Sequence, residues 1–238
     1  MNISEHSSKK YDAELEILRA SVMQMGGLVQ AQIMTAIDAF INGNQDLLEK
    51  VIADDHSVNG LEVNIDEECA QIVVRRQPAA VDLRLIMAVS KIVTDLERIG
   101  DEAAKIARIA KVIHQRDHLN SPRISYVREV ADVALDMLRG VLDAFARLDA
   151  VKAAAIVRED QVIDDRFRGI MRQLITYMLE DPRTITSAFD IVFIAKAIER
   201  IGDHAKNIAE SVIYIVKGKD VRHIALDQLE RAARSSAP

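Results

Sequence analysis

A chain that spells one segment twice is under pressure to fold that segment twice. Leu96-Glu-Arg-Ile-Gly-Asp-Glu-Ala-Ala-Lys-Ile-Ala107 returns 102 residues later as Ile198-Glu-Arg-Ile-Gly-Asp-His-Ala-Lys-Asn-Ile-Ala209, with eight of the twelve positions identical. Upstream, Asp55-His-Ser-Val-Asn59 stands before Pro78 much as Asp160-Gln-Val-Ile-Asp164 stands before Pro182. A period this long is too long for a solenoid and fits an internal duplication.

Between the repeats, chain breaks are sparse and regular. Asn42-Gly43-Asn44, Gln77-Pro78, Asn120-Ser121-Pro122 and Asp181-Pro182 interrupt otherwise continuous runs, and a residue before proline is biased away from the helical region. Within the runs, apolar residues recur at three and four positions: Leu96, Ile99, Ala103 and Ile106, then Ile198, Ile201, Ala205 and Ile208. No alternating strand pattern competes with them. The spacing predicts six helices, roughly over 12–42, 45–76, 79–116, 123–148, 150–180 and 183–217. Short connections favour antiparallel neighbours, so the expected fold is all-α, two tandem three-helix bundles related by internal duplication. The corresponding division is an N-terminal tail 1–11, a first repeat 12–119, a second repeat 120–218, and a short mobile tail 219–238 beyond Gly218.

Composition narrows the function. With hydrophobic residues at 49% and charged residues at 29%, the chain can bury a core. A net charge of −6 speaks against a nucleic-acid partner, and the single Cys69 excludes a disulfide framework or thiolate metal site. No apolar stretch approaches membrane-spanning length, and no signal peptide is indicated, so a cytoplasmic, non-membrane-spanning protein is expected.

The repeated segment carries the chemistry. Residues i and i+4 share a helix face, about 5–6 Å apart at Cβ, so Glu97 and Asp101, and again Glu199 and Asp203, set like charges side by side. Asp55 with Asn59 and Asp160 with Asp164 place a second such pair on the preceding helix, and antiparallel packing would bring each set of four together. Arg98 and Arg200 lie about 100° round the helix and cannot neutralise the cluster. A hard cation can, because carboxylate oxygens suit such ions. Gly100 and Gly202 lie between the acids and are expected to permit close approach, since a mid-helix glycine costs about 1 kcal/mol against alanine. Asn59 supplies a neutral oxygen where the second copy has Asp164, so the stronger site is expected in the second copy. Glu62 and Asp66 continue the first stripe, as outer ligands or as solvated acids, and Asn207 offers a further oxygen where the first copy has Lys105. His204 is expected at the surface. No histidine follows a glutamate at the spacing of a bundle di-iron site, and no phosphate loop or nucleophile elbow is present. Catalysis has no visible residues.

Two copies of Glu-Arg-Ile-Gly-Asp in a duplicated helical chain, with Arg-Gln-Pro78, Asp82-Leu-Arg84, Asn207-Ile-Ala-Glu210 and Val216-Lys-Gly218, resemble the PhoU family of phosphate-signalling regulators over about residues 10–218. The resemblance implies multinuclear clusters of oxygen-bound metal, with iron, manganese, magnesium or zinc as candidates. Carried over, the ligand positions are Asp55, Glu97 and Asp101 in one half and Asp160, Asp164, Glu199 and Asp203 in the other, with Asn59 departing from the acidic pattern. The resemblance further implies a homodimeric, cytoplasmic, non-enzymatic negative regulator linking the ATPase of a phosphate ABC transporter to a sensor histidine kinase. The alternative is a metal-dependent hydrolase acting on phosphate compounds, which would need a base or nucleophile beside the cluster.

Overall fold

The computed structural model describes residues 9–116 and 124–235, and among them every regular element is helical. Helix α1 spans Lys9–Asn42, α2 Gln45–Arg76, α3 Ala80–Gln115, α4 Ile124–Arg147, α5 Ala150–Glu180, α6 Ile185–Lys217 and α7 Leu226–Arg234, with a single 3-10 turn at Pro182–Thr184. The Asn-Ser-Pro break at 120–122 lies outside the described residues. The others act as the sequence suggests. Asn44 caps α2 by accepting from the Leu47 amide at 3.1 Å, and Asp149, in the corresponding place, caps α5 by accepting from the Val151 and Lys152 amides. Both satisfy donors a helix start leaves unpaired. Gln77 closes α2 in the left-handed conformation directly before Pro78, and Gly218 closes α6 the same way at φ 65°, where glycine carries no Cβ penalty.

Helices α1, α2 and α3 pack on one another, as do α4, α5 and α6, and α3 and α6 meet along their length between the two sets. These two run antiparallel, since Arg84 near the start of α3 lies against Gly218 at the end of α6 while Glu102 pairs with Arg200 in the middle. One continuous apolar core runs through both halves, from Leu18, Phe40 and Ile65 to Phe145, Ile163 and Ile208. Fully buried alanines recur along both central helices, among them Ala103, Ala107 and Ala110 in α3 and Ala195, Ala205 and Ala209 in α6. Small side chains of this kind let helix backbones come close.

Charged groups buried in this central contact are paired, as buried charges must be. Glu102 accepts from Arg200 at 2.9 Å and Lys105 at 3.1 Å. Asp95 bonds His204 Nδ1 at 2.9 Å and accepts from Asn207 at 3.2 Å. His204 is therefore buried, only 6% exposed, and not at the surface as expected from sequence. A central helix packs neighbours on several sides, so its buried arc is wider than its apolar stripe.

The termini differ from expectation in two places. Helix α1 begins at Lys9, inside the stretch read as tail, because Tyr11 is already buried. Beyond Gly218, the segment read as a mobile tail forms α7, which docks on α5 through buried Leu229, Ala232 and Ala233 and an Arg158–Glu230 ion pair. An apolar stripe of three residues on a nine-residue helix is too short to stand out beside polar neighbours.

Candidate functional site

The packing of α2 on α3 gathers the first acidic set. Asp55 feels the charge of Asp101, and Glu97 feels Asp101, Glu62 and Asp55. Burial first, and then these like charges, hold both the Asp55 and Glu97 carboxyls above the ordinary carboxylate range. Asp101 and Asn59 are exposed on the same faces, and Glu62 is half-buried. Nearby cations act only at a distance: Arg108 and His56 partly relieve Asp55, and Arg98 partly relieves Glu97. Asp55 Oδ1 is buried with no hydrogen-bond partner.

The second set forms where α5 packs on α6, with a different balance. Asp160 and Glu199 are buried, at 7% and 9% exposure. Each has a lysine of its own: Lys206 reaches Asp160 at 2.7 Å and Lys196 reaches Glu199 at 2.5 Å. Burial, then Glu199 and Asp160, raise the Asp203 carboxyl, while Lys196 and Lys206 pull it back. Burial works against the charge of Lys206, but its bond to Asp160 and the surrounding carboxylates outweigh that and raise its proton affinity. Asp164, the fourth expected member, is half-exposed and stands 3.9 Å from Arg168. It lies with Asp160 and Lys206 on the wall of a cleft of about 960 Å³ between α3, α5, α6 and the segment 222–229.

The repeat glycines do what their position requires. A Cβ on Gly202 would stand 2.6 Å from Ile163 Cδ1, and one on Gly100 3.4 Å from Val58 Cγ1 and 3.6 Å from Asp55 Oδ1. Gly202 thus lets the preceding helix approach at the level of the acids, whereas at Gly100 the preceding helix stands at ordinary contact distance and the tightest neighbour is Gln32 Oε1 of α1, at 3.2 Å.

Among the described residues, no three His, Cys, Asp or Glu side chains stand close enough to hold a metal ion as placed. The carboxylates face one another at electrostatic range, and a shared ion would require their side chains to turn inward. The donor set nevertheless fits a hard cation: oxygens only, two carboxyls destabilised as anions, and one buried oxygen without a partner.

Several members of these sites escaped sequence reasoning. Lys196 precedes Glu199 by three positions and was readable as an i, i+3 pair. Lys206 meets Asp160 across helices, and no local pattern signals that. Gln32 of α1, buried beside Gly100, was visible only as a polar residue on the apolar stripe of Val29, Ile33, Ala36 and Phe40.

The PhoU domain matches the chain twice, over residues 22–110 and again over 127–212. The chain belongs to the PhoU family. Similar relatives are the phosphate-specific transport system accessory protein PhoU of Edwardsiella tarda, 47% identical over 97% of this chain and 94% of the relative, and that of Escherichia coli K12, 46% identical over 97% and 95%. Among solved structures, PhoU from Pseudomonas aeruginosa superposes with a TM-score of 0.84 at 45% identity, covering 88% of this chain and all of that one. The PhoU phosphate transport regulatory protein from Streptococcus pneumoniae reaches 0.82 at 27% identity, over 89% and 99%. The two PhoU-domain matches fall on either side of the α3–α4 connection. No helix among the described residues is long and apolar enough to cross a membrane.

Proposed function

We propose that this protein is a non-enzymatic regulator of phosphate uptake, acting in the cytoplasm as a homodimer, whose two acidic clusters bind hard metal ions. In this reading it restrains phosphate-starvation signalling when phosphate is plentiful, by linking the ATPase of a phosphate ABC transporter to a sensor histidine kinase. The observation that carries the regulatory role is near-full-length identity of 44–47% to relatives named as phosphate-specific transport system accessory proteins. The metal role rests on the two clusters themselves. Asp55, Glu97 and Asp101, with Asn59 at the rim, would hold an ion in the first half; Asp160, Glu199 and Asp203, with Asp164 at the rim, would do so in the second. A bound ion would supply positive charge where carboxylates repel, tying α2 to α3 and α5 to α6.

The two halves should differ in affinity. The second has more acids, which favours it on charge alone, but Lys196 and Lys206 already neutralise two of them. Among the described residues, no lysine stands on the carboxylates of the first, so an ion there displaces no lysine. We therefore place the tighter cation site in the first half.

Affinity capture from solubilised membranes tests the regulatory role. Recovery of the transporter ATPase and the kinase supports it; recovery of neither, together with phosphatase activity in the pure protein, favours the hydrolase reading. Elemental analysis and melting with and without chelator test the metal. Absence of bound metal, with no response to Glu97→Ala/Asp101→Ala or Glu199→Ala/Asp203→Ala, would sink that half of the proposal.

A further inference from the structure

Gln32 projects from α1 into the first half and is 7% exposed, yet neither its amide oxygen nor its nitrogen has a hydrogen-bond partner. Buried polar side chains are almost always paired, and one that is not opposes folding until something satisfies it. The nearby Asp55 Oδ1 is in the same condition. Both oxygens stand over Gly100: a Cβ built there would lie 3.2 Å from Gln32 Oε1 and 3.6 Å from Asp55 Oδ1.

The second repeat shows the same spot without its polar groups. Aligned on the capping residues Asn44 and Asp149 and on the buried Phe40 and Phe145, Gln32 corresponds to Met137 and Val58 to Ile163. Met137 and Ile163 are both fully buried, and Ile163 Cδ1 fills the space over Gly202. The first repeat has one methyl fewer on α2 and an amide in place of a thioether on α1. Hydrocarbon over the glycine in one half is replaced by two unpaired oxygens in the other.

The geometry points to Gln32 as an inner oxygen ligand of the first cluster: a divalent cation seated over Gly100 would be held between Gln32 Oε1 and Asp55 Oδ1, with Glu97 and Asp101 closing it from the solvent side. Side-chain amide oxygens are ordinary ligands for hard cations, and either face of the amide can be turned to present the oxygen. This rests on the reading of the first cluster as a cation site and adds to it a ligand from a third helix, which no i, i+4 acidic motif contains.

The test uses Mn(II) as the probe, titrated into the full chain carrying Glu199→Gln and Asp203→Asn so that the second cluster is silent. Gln32→Met, the side chain found in the second repeat, is expected to weaken Mn(II) binding tenfold or more, to raise the melting temperature of the metal-free protein, and to shrink its Mn(II)-induced rise. Gln32→Glu restores binding. Val58→Ile, which adds the methyl found in the second repeat and leaves Gln32 in place, weakens binding as well, and keeps the question answerable should Gln32→Met fold poorly. Unchanged Mn(II) affinity in Gln32→Met and Val58→Ile, with binding abolished in Glu97→Ala/Asp101→Ala, overturns the role of Gln32 and leaves the cluster standing. No Mn(II) binding by the parent chain overturns the cluster reading and this inference with it.

Discussion

The two repeats keep the same backbone device and neutralise it differently. Both set a mid-helix glycine in the Glu-Arg-Ile-Gly-Asp turn: a Cβ on Gly202 would meet Ile163 of the second helix at 2.6 Å, and one on Gly100 would meet Gln32 of the first helix at 3.2 Å. In the second, Lys196 and Lys206 sit on Glu199 and Asp160; the corresponding positions in the first are Thr94 and Ala104, and its carboxyls are left with burial and mutual repulsion. Duplication has thus preserved the packing and let the charge balance drift. Cluster strength cannot be judged by counting acids, because a carboxylate already holding a lysine has less to gain from an ion.

The largest effect expected of any single change that breaks this contrast is at Lys206. Lys206→Ala leaves Asp160 buried without its partner and should cost about 1–3 kcal/mol in urea unfolding of the metal-free protein. The same variant should bind Mn(II) more tightly at the second cluster, seen by calorimetry, because it makes that half resemble the first. Gly202→Ala comes next. Its new Cβ meets Ile163 at 2.6 Å and should cost about 1–2 kcal/mol through forced repacking. Gly100→Ala should cost less, since its nearest neighbours stand at 3.2 Å or beyond, while helix propensity returns about 1 kcal/mol at both positions.

Smaller and opposite in sign is the pair Glu97→Gln and Glu199→Gln. The first removes a repelling charge and should raise the metal-free melting temperature by roughly 1–3 °C; the second strands Lys196 and should leave it unchanged or lower it. Calorimetric scans of both variants decide whether the lysines make the difference. The finest test is pH. Because folding raises the Glu97 carboxyl, the folded chain keeps that proton longer than the unfolded one, so the group's contribution is best at low pH and is lost as pH rises through the raised value. The advantage of Glu97→Gln over the parent should therefore be full at pH 7 and fade toward about pH 4, where the unfolded carboxyl also protonates.

Much of the fold was legible because its signals are local. Asn44 and Asp149 mark helix starts by side-chain caps, Pro78 and Gly218 mark helix ends by backbone conformation, and the apolar stripes of Leu96–Ile106 and Ile198–Ile208 show which faces meet. The acidic pairs could be read for the same reason, being i, i+4 neighbours. Gln32 could be seen only as a polar interruption, since its meaning depends on Gly100 of another helix. Lys206 bonds a residue 46 positions away. His204 looked exposed because one apolar stripe understates the burial of a helix flanked on several sides. The acid spacing itself pointed to a hard cation, while the proposed partners and the candidate metals came from the family resemblance alone.

Antiparallel α3 and α6 carry one more consequence. Glu102 follows Asp101 and Arg200 follows Glu199, so the ion pair joining the central helices sits one residue from each cluster, with the Asp95–His204 bond beside it. Sliding one helix past the other by a single turn, about 5.4 Å, would break both bonds at once and pull the two clusters out of level. The two halves are latched against shear, with both acid sites beside the latch.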